Sequence, residues 1–123
     1  MKLEVLKQDF SICKINSVTH IDFTDEFCFV GKTDEELSLV CSTAFTPKQF
    51  IECDNGWKGF RIKGQLDFSL TGILAGLTKV LAENNIGVFA ISTYNTDYIL
   101  VREKALEQAI TALKLAGNEI IYL

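Results

Sequence analysis

The sequence predicts an α+β fold whose second half runs β-α-β-β-α-β, on three observations. From Trp57 to Leu123, short runs of β-branched and aromatic residues alternate with two stretches whose apolar residues recur at three and four. Residues with turn chemistry, Gly64, Asn84-Asn85, Asn95 and Gly117, fall at each change of period. The first half carries apolar strand-like runs with no long helical period, which makes it a shorter, β-rich companion.

The elements of the second half follow in order. Phe60-Arg61-Ile62-Lys63 alternates as a strand does, and Gly64 ends it. Leu70, Ile73, Leu74, Leu77, Val80 and Leu81 then line one helix face, with Lys79 and Glu83 opposite. Asn84-Asn85 close that helix, because Asn tolerates the left-handed conformation a helix end requires. Residues 86–91 and Tyr98-Ile99-Leu100-Val101 read as two strands of a hairpin turning around Asn95. Glu103 opens a second helix with the face Leu106, Ala109, Ile110, Leu113 and Ala116, Gly117 stands one residue past its end, and 119–123 is the last strand. This order is the split unit of ferredoxin-like folds.

In the first half, 11–15, 27–32 and 37–41 read as strands, the latter two joined at 33–36. Residues 17–26 and 45–51 each have room for a short helix or turn, so this half reads either as a worn copy of the same order or as a plain β extension. Residues 89–91 and 99–101 are apolar at consecutive positions, so both faces of their sheet need cover. Two helices supply one face; the N-terminal half or a second subunit must supply the other.

The 123 residues suffice for one compact domain or two very small units, divided here at 1–56 and 57–123. A hydrophobic share of 48% comes without any apolar run of about 20 residues, so no membrane span is expected and the surplus is buried in protein, subunit interfaces included. The N-terminus lacks the layout of a signal peptide, which assigns the chain to the cytoplasm. Net charge −4 with scattered Lys and Arg argues against nucleic acid. Cys13, Cys28, Cys41 and Cys53 form no CxxC pair and His20 is the single histidine, so the cysteines read as buried or partly buried free thiols, with a redox or metal role as the lesser alternative, and no cofactor is expected.

Two polar segments carry the candidate chemistry. Residues 67–72 lead from a strand into a helix, where backbone N–H groups at the positive end of the helix dipole suit a carboxylate. Gly72 permits close approach, and Ser69 and Thr71 offer hydroxyls. At the hairpin, residues 92–97 bring hydroxyls, an amide and the Asp97 carboxylate, an acceptor for an ammonium group. The same residues also serve as an N-cap, through Ser69 or Asp67, and as ordinary turn chemistry. Gly72 and Gly76 each cost about 1 kcal/mol relative to Ala within a helix, which implies a compensating close backbone contact. Lys58, Arg61 and Lys63 read as a solvated strand face, and 56–59 as a turn without phosphate-loop spacing.

The stretch DFSLTGILAGLTKVLAENNIGVFAISTYNTDYILV, with the helix through Ala105 and Leu113, closely resembles the ACT domain, the small regulatory module of aspartate kinases and other amino-acid-controlled enzymes. More narrowly, with EELSLVC and Gly56-Trp57, the chain is similar to the short stand-alone tandem-ACT proteins related to the CASTOR-type amino-acid sensors. The resemblance implies a C-terminal ACT domain and an abbreviated ACT-like N-terminal unit, in a regulatory protein that binds an amino acid at an interface between ACT units or subunits, as a homo-oligomer, with a dimer expected. It maps ligand binding onto Asp67, Phe68, Ser69, Leu70, Thr71 and Gly72, with Ile91, Ser92, Thr93, Asn95 and Asp97. ACT modules usually control an attached enzyme or DNA-binding domain, and none is evident in these 123 residues. The alternative is a ligand-free interaction module assembling through its sheets. No catalytic role is expected: acylphosphatases share the topology but need an arginine and an asparagine on a phosphate loop, and His20 has no evident nucleophile partner.

Overall fold

The computed structural model describes residues 1–64 and 72–123. Its elements are β1 (Lys2–Val5), β2 (Phe10–Ile15), β3 (Cys28–Lys32), β4 (Leu37–Ser42), β5 (Glu52–Ile62), α1 (Ile73–Glu83), β6 (Phe89–Ser92), β7 (Asp97–Arg102), α2 (Leu106–Leu115) and β8 (Glu119–Tyr122). They divide into two compact units, one of residues 8–57 and the other of residues 1–7 with 58–123.

In the second of these units the strands run β6-β7-β5-β1-β8. A split β-α-β-β-α-β sheet sets its last strand beside its first. Here β1 occupies that place, antiparallel to β5 with Leu3 opposite Ile62, and parallel to β8 with Leu3 opposite Ile120. Residues 1–7 therefore belong with 58–123, whereas a division at 56 had grouped them with the first half. Four residues with one charge alternation are a weak local signal, and only pairing across the whole chain reveals the strand.

The core of this unit follows the periodicity of its helices. Leu77 and Leu81 from α1, Ala109, Ile110 and Leu113 from α2, and Leu3, Phe60, Ile62, Ile99 and Val101 from the strands are buried together, with Ile73, Leu74 and Val80 packed against them. Lys79 and Glu83 are exposed, as the helix face requires. Replacing a residue as buried as Leu81 by Ala would cost about 2–5 kcal/mol. Leu100, between Ile99 and Val101 on the opposite sheet face, is equally buried, so this strand is covered on both sides. Asn84 caps α1, Asn85 follows at φ 59°, and Gly117 follows α2 at φ 98°. Glu103 opens a 3-10 turn, Glu103–Ala105, that runs directly into α2.

The unit of residues 8–57 has strand order β3-β4-β2-β5, all antiparallel. Counted from its own first strand, this is the order of the split β-α-β-β-α-β sheet. The helices are reduced to 3-10 turns at Val18–His20 and Thr43–Phe45. Between its first two strands this unit has a short connection where the other accommodates α1. Beyond that point the elements keep step: Leu37–Ser42 recurs as Asp97–Arg102 and Thr43–Phe45 as Glu103–Ala105. The turns match as well, Thr33 N–H donating to Glu36 O and Thr93 N–H to Thr96 O, each at 2.9 Å.

Two local devices shape this smaller unit. β5 is bulged against β2, since Phe10 faces Trp57 while Ile12 faces Asp54, and Gly56 sits in the bulge at φ 87°. Residues 56–59 are thus continuous strand and not the turn their glycines suggest. Asp25, buried, accepts from Ser42 N–H (2.8 Å), Ser42 Oγ (2.6 Å) and Phe27 N–H (3.1 Å), fastening the connection before β3 to the end of β4.

Candidate ligand site

The candidate site grows from one end of the sheet in the unit of residues 1–7 and 58–123. β5 finishes at Ile62, and the chain re-enters described structure at Gly72, the N-cap of α1. The β6–β7 turn comes to the same end, because the Thr96 hydroxyl donates to the Ile62 carbonyl at 2.9 Å. Thr96 is only 6% exposed, so this bond is made away from water, where an unpaired hydroxyl would be costly. Thr96 was not among the residues the sequence nominates. Its position reads as turn chemistry, and nothing local tells a solvated turn threonine from a buried one.

The turn itself is closed by its own side chains. Thr93 Oγ1 donates to Thr96 O at 2.9 Å and accepts from Thr96 N–H at 3.4 Å, so that hydroxyl serves the turn. Ser92 Oγ donates to Asp97 Oδ1 at 2.6 Å across the strand pair, which holds the carboxylate in place. Asn95 is exposed at the tip. Ser92 and Asp97 share the sheet face of Ile99 and Val101, the face the helices cover. Ile91, opposite Tyr98, lies on the other face and so does not join Ser92 and Asp97.

On the helix side, Gly72 stands at φ 80°, a conformation strained for any residue with a Cβ. It provides no side-chain cap, α1 has no acidic residue in its first turn, and Gly76 N–H donates to Gly72 O at 2.8 Å. The positive end of this helix is left without a carboxylate from its own first turn. Asp67, Phe68, Ser69, Leu70 and Thr71 lie outside the described residues. The close contact expected at Gly76 is not present among the described residues: a Cβ there would meet nothing within 4 Å.

Arg61 departs from the solvated strand face its alternation suggested. Its Nε meets Glu4 Oε1 at 3.0 Å, with both side chains largely buried. Burial works against the charge, but hydrogen bonds to Glu4 and Tyr98 outweigh it and hold the guanidinium above its ordinary value. β1 supplies Glu4, so the strand missed from the sequence also explains the misread arginine. Among the described residues no group of His, Cys, Asp or Glu has the geometry of a metal site, and no helix is long and apolar enough to cross a membrane.

The β-α-β-β-α-β order, with β8 returning past β5 and a polar hairpin held at one sheet end, defines the ferredoxin-like class to which small regulatory modules belong. A family model described as ACT domain matches residues 52–114, and the chain belongs to that family. Over 99% of its length the chain is 31% identical to a protein of solved structure from Agobacterium tumefaciens, covering 92% of that chain with a TM-score of 0.86. The fold also matches the regulatory subunit of aspartate kinase from Thermus thermophilus in its ligand-free form, at TM-score 0.65 and 9% identity, covering 94% of this chain and 96% of that one. It matches aspartate kinase from Clostridium acetobutylicum at TM-score 0.66 and 13% identity, where 90% of this chain spans 33% of the larger enzyme.

Proposed function

We propose that this chain is a regulatory ACT protein of the cytoplasm that binds a free amino acid at an interface between subunits, in the manner of the CASTOR-type sensors. The ligand carboxylate docks on the N–H groups at the start of α1, around Gly72 and the residues 67–71 before it. Its ammonium group is held by Asp97, with Ser92, Thr93, Asn95 and Ile91 around the hairpin completing the surroundings. The observation that carries this reading is the Thr96–Ile62 hydrogen bond, which holds the polar hairpin at the sheet end from which the chain runs to α1. Opposite charges for the two ends of a zwitterion are then available: a helix N-terminus with no carboxylate in its first turn, and a carboxylate fixed by Ser92. A ligand bound where subunits meet stabilises the assembly it bridges, which gives a route from metabolite level to regulation without chemistry on the ligand.

The test is a thermal-shift screen of the twenty amino acids at millimolar concentration, followed by light scattering with each hit. A ligand present at about 100 times its Kd adds roughly 2.7 kcal/mol of stability, a readily measured rise in Tm. One or a few amino acids are expected to give it, and Asp97→Ala to remove it. Silence from all twenty overturns the proposal and leaves a ligand-free interaction module as the reading.

A further inference from the structure

The four cysteines, scattered in sequence, come together in the unit of residues 8–57. Cys13 and Cys53 face each other across the antiparallel pair β2–β5, and Cys28 and Cys41 across β3–β4. Strand alternation puts all four on one face of this sheet, with Cys13 and Cys41 buried in its core and Cys28 and Cys53 at the margin. Within this row the Sγ atoms of Cys13 and Cys53 lie 2.7 Å apart. Residues directly opposite in an antiparallel pair have Cα atoms about 4.5 to 5.5 Å apart, inside the span a disulfide bridges, and its S–S bond of about 2.05 Å requires the sulfurs to close by well under an ångström.

We propose that Cys13 and Cys53 are a site of reversible modification, oxidised by peroxide to a cross-strand disulfide. Cys53 is the more accessible member and meets the oxidant first. Its thiolate attacks one peroxide oxygen, forming an S–O bond as the O–O bond breaks, and the departing oxygen leaves as water after taking up a proton. Cys13, 2% exposed, then yields its proton and attacks the Cys53 sulfur, forming the S–S bond as the S–O bond breaks and a second water leaves. Two thiols and one peroxide give one disulfide and two waters. Burial and the neighbouring Cys53 and Cys41 hold the Cys13 thiol protonated, which leaves the first step to Cys53. Transient disulfides of this kind are the form in which such bonds occur in reducing compartments.

The experiment treats the folded protein with stoichiometric hydrogen peroxide, quenches free thiols with an alkylating agent under denaturing conditions, and reads intact mass and peptide map. The expected product is a monomeric chain about 2 Da lighter, with two of its four thiols protected, a Cys13–Cys53 linked peptide, and full reversal by dithiothreitol. Closing a loop between residues 40 apart should also raise Tm by roughly 15 °C. Cys28→Ala should retain the product and Cys53→Ser should abolish it. A peptide map joining Cys28 to Cys41, a disulfide between chains, stable oxygen addition without loss of 2 Da, or four free thiols after treatment would each overturn the proposal. The wild-type map decides the matter even if a variant folds poorly.

Discussion

Gly76→Ala is the sharpest test of how the first helix is built. Gly76 lies inside α1 with ordinary helical backbone, is exposed, and a Cβ built on it finds nothing within 4 Å among the described residues. Alanine would then add no clash, while removing the extra conformational freedom that glycine gives the unfolded chain. The intrinsic difference is about 1 kcal/mol, close to a fivefold shift in the folded-to-unfolded ratio, and for a chain of this length it corresponds to a Tm rise of roughly 3–5 °C. Urea denaturation followed by circular dichroism measures the first quantity and differential scanning calorimetry the second. A variant no more stable than the parent, or less so, refutes the reasoning and shows that the glycine accommodates a close neighbour. Repeating the amino-acid screen on the variant adds a second reading. If Gly76→Ala stabilises the free protein yet removes a ligand response or dissolves an oligomer, the open space over α1 is where the ligand or second subunit sits.

Three further outcomes follow from the hydrogen bonds and thiols. Thr96→Val should cost about 1–2 kcal/mol in urea denaturation, because it removes the buried bond to the Ile62 carbonyl, whereas Thr96→Ser should retain most of the stability. Asp25→Ala should cost about 2–4 kcal/mol in the same assay, since it leaves the buried Ser42 amide and hydroxyl without their acceptor; a cost under about 0.5 kcal/mol would show that the clasp is dispensable. Burial raises the Cys41 thiol from near 9 to about 11. The unfolded chain therefore releases this proton first. The stabilisation is complete below pH 9 and is lost as pH rises toward 11, so the urea midpoint should fall across that window and Cys41→Val should flatten the fall.

The fold of the second half was legible because its elements declare themselves locally. Ile73, Leu74, Leu77, Val80 and Leu81 form one helix face, Asn85 and Gly117 take the left-handed positions their chemistry favours, and the hairpin turns at 93–96. What escaped detection depends on distant pairing. β1 is a strand because Leu3 finds Ile62 and Ile120, and residues 52–59 are strand because Phe10, Ile12 and Cys13 pair with them across a bulge. Arg61 was misassigned for the same reason, its partner Glu4 being 57 residues away in sequence. At the site, the residue types were readable but their duties were not. Thr93 and Ser92 offer hydroxyls in the sequence, and the structure shows them engaged with Thr96 and Asp97. The second copy in residues 8–57 was hidden because its helices have shrunk to 3-10 turns, which removes the periodicity that makes the pattern visible.

The place of β1 sets an order on how the molecule can be made. Leu3 leaves the ribosome long before Ile62 and Ile120, the residues on either side of it in the finished sheet, so β1 is secured only well after it is made. Contacts so far apart in sequence are slow to close, and until they do the apolar edge of β5 stays open to a neighbouring chain. Among the described residues β8 has β1 as its strand partner, so removing residues 1–5 would free β8 as well. A peptide of those residues added in trans should restore what trimming removes.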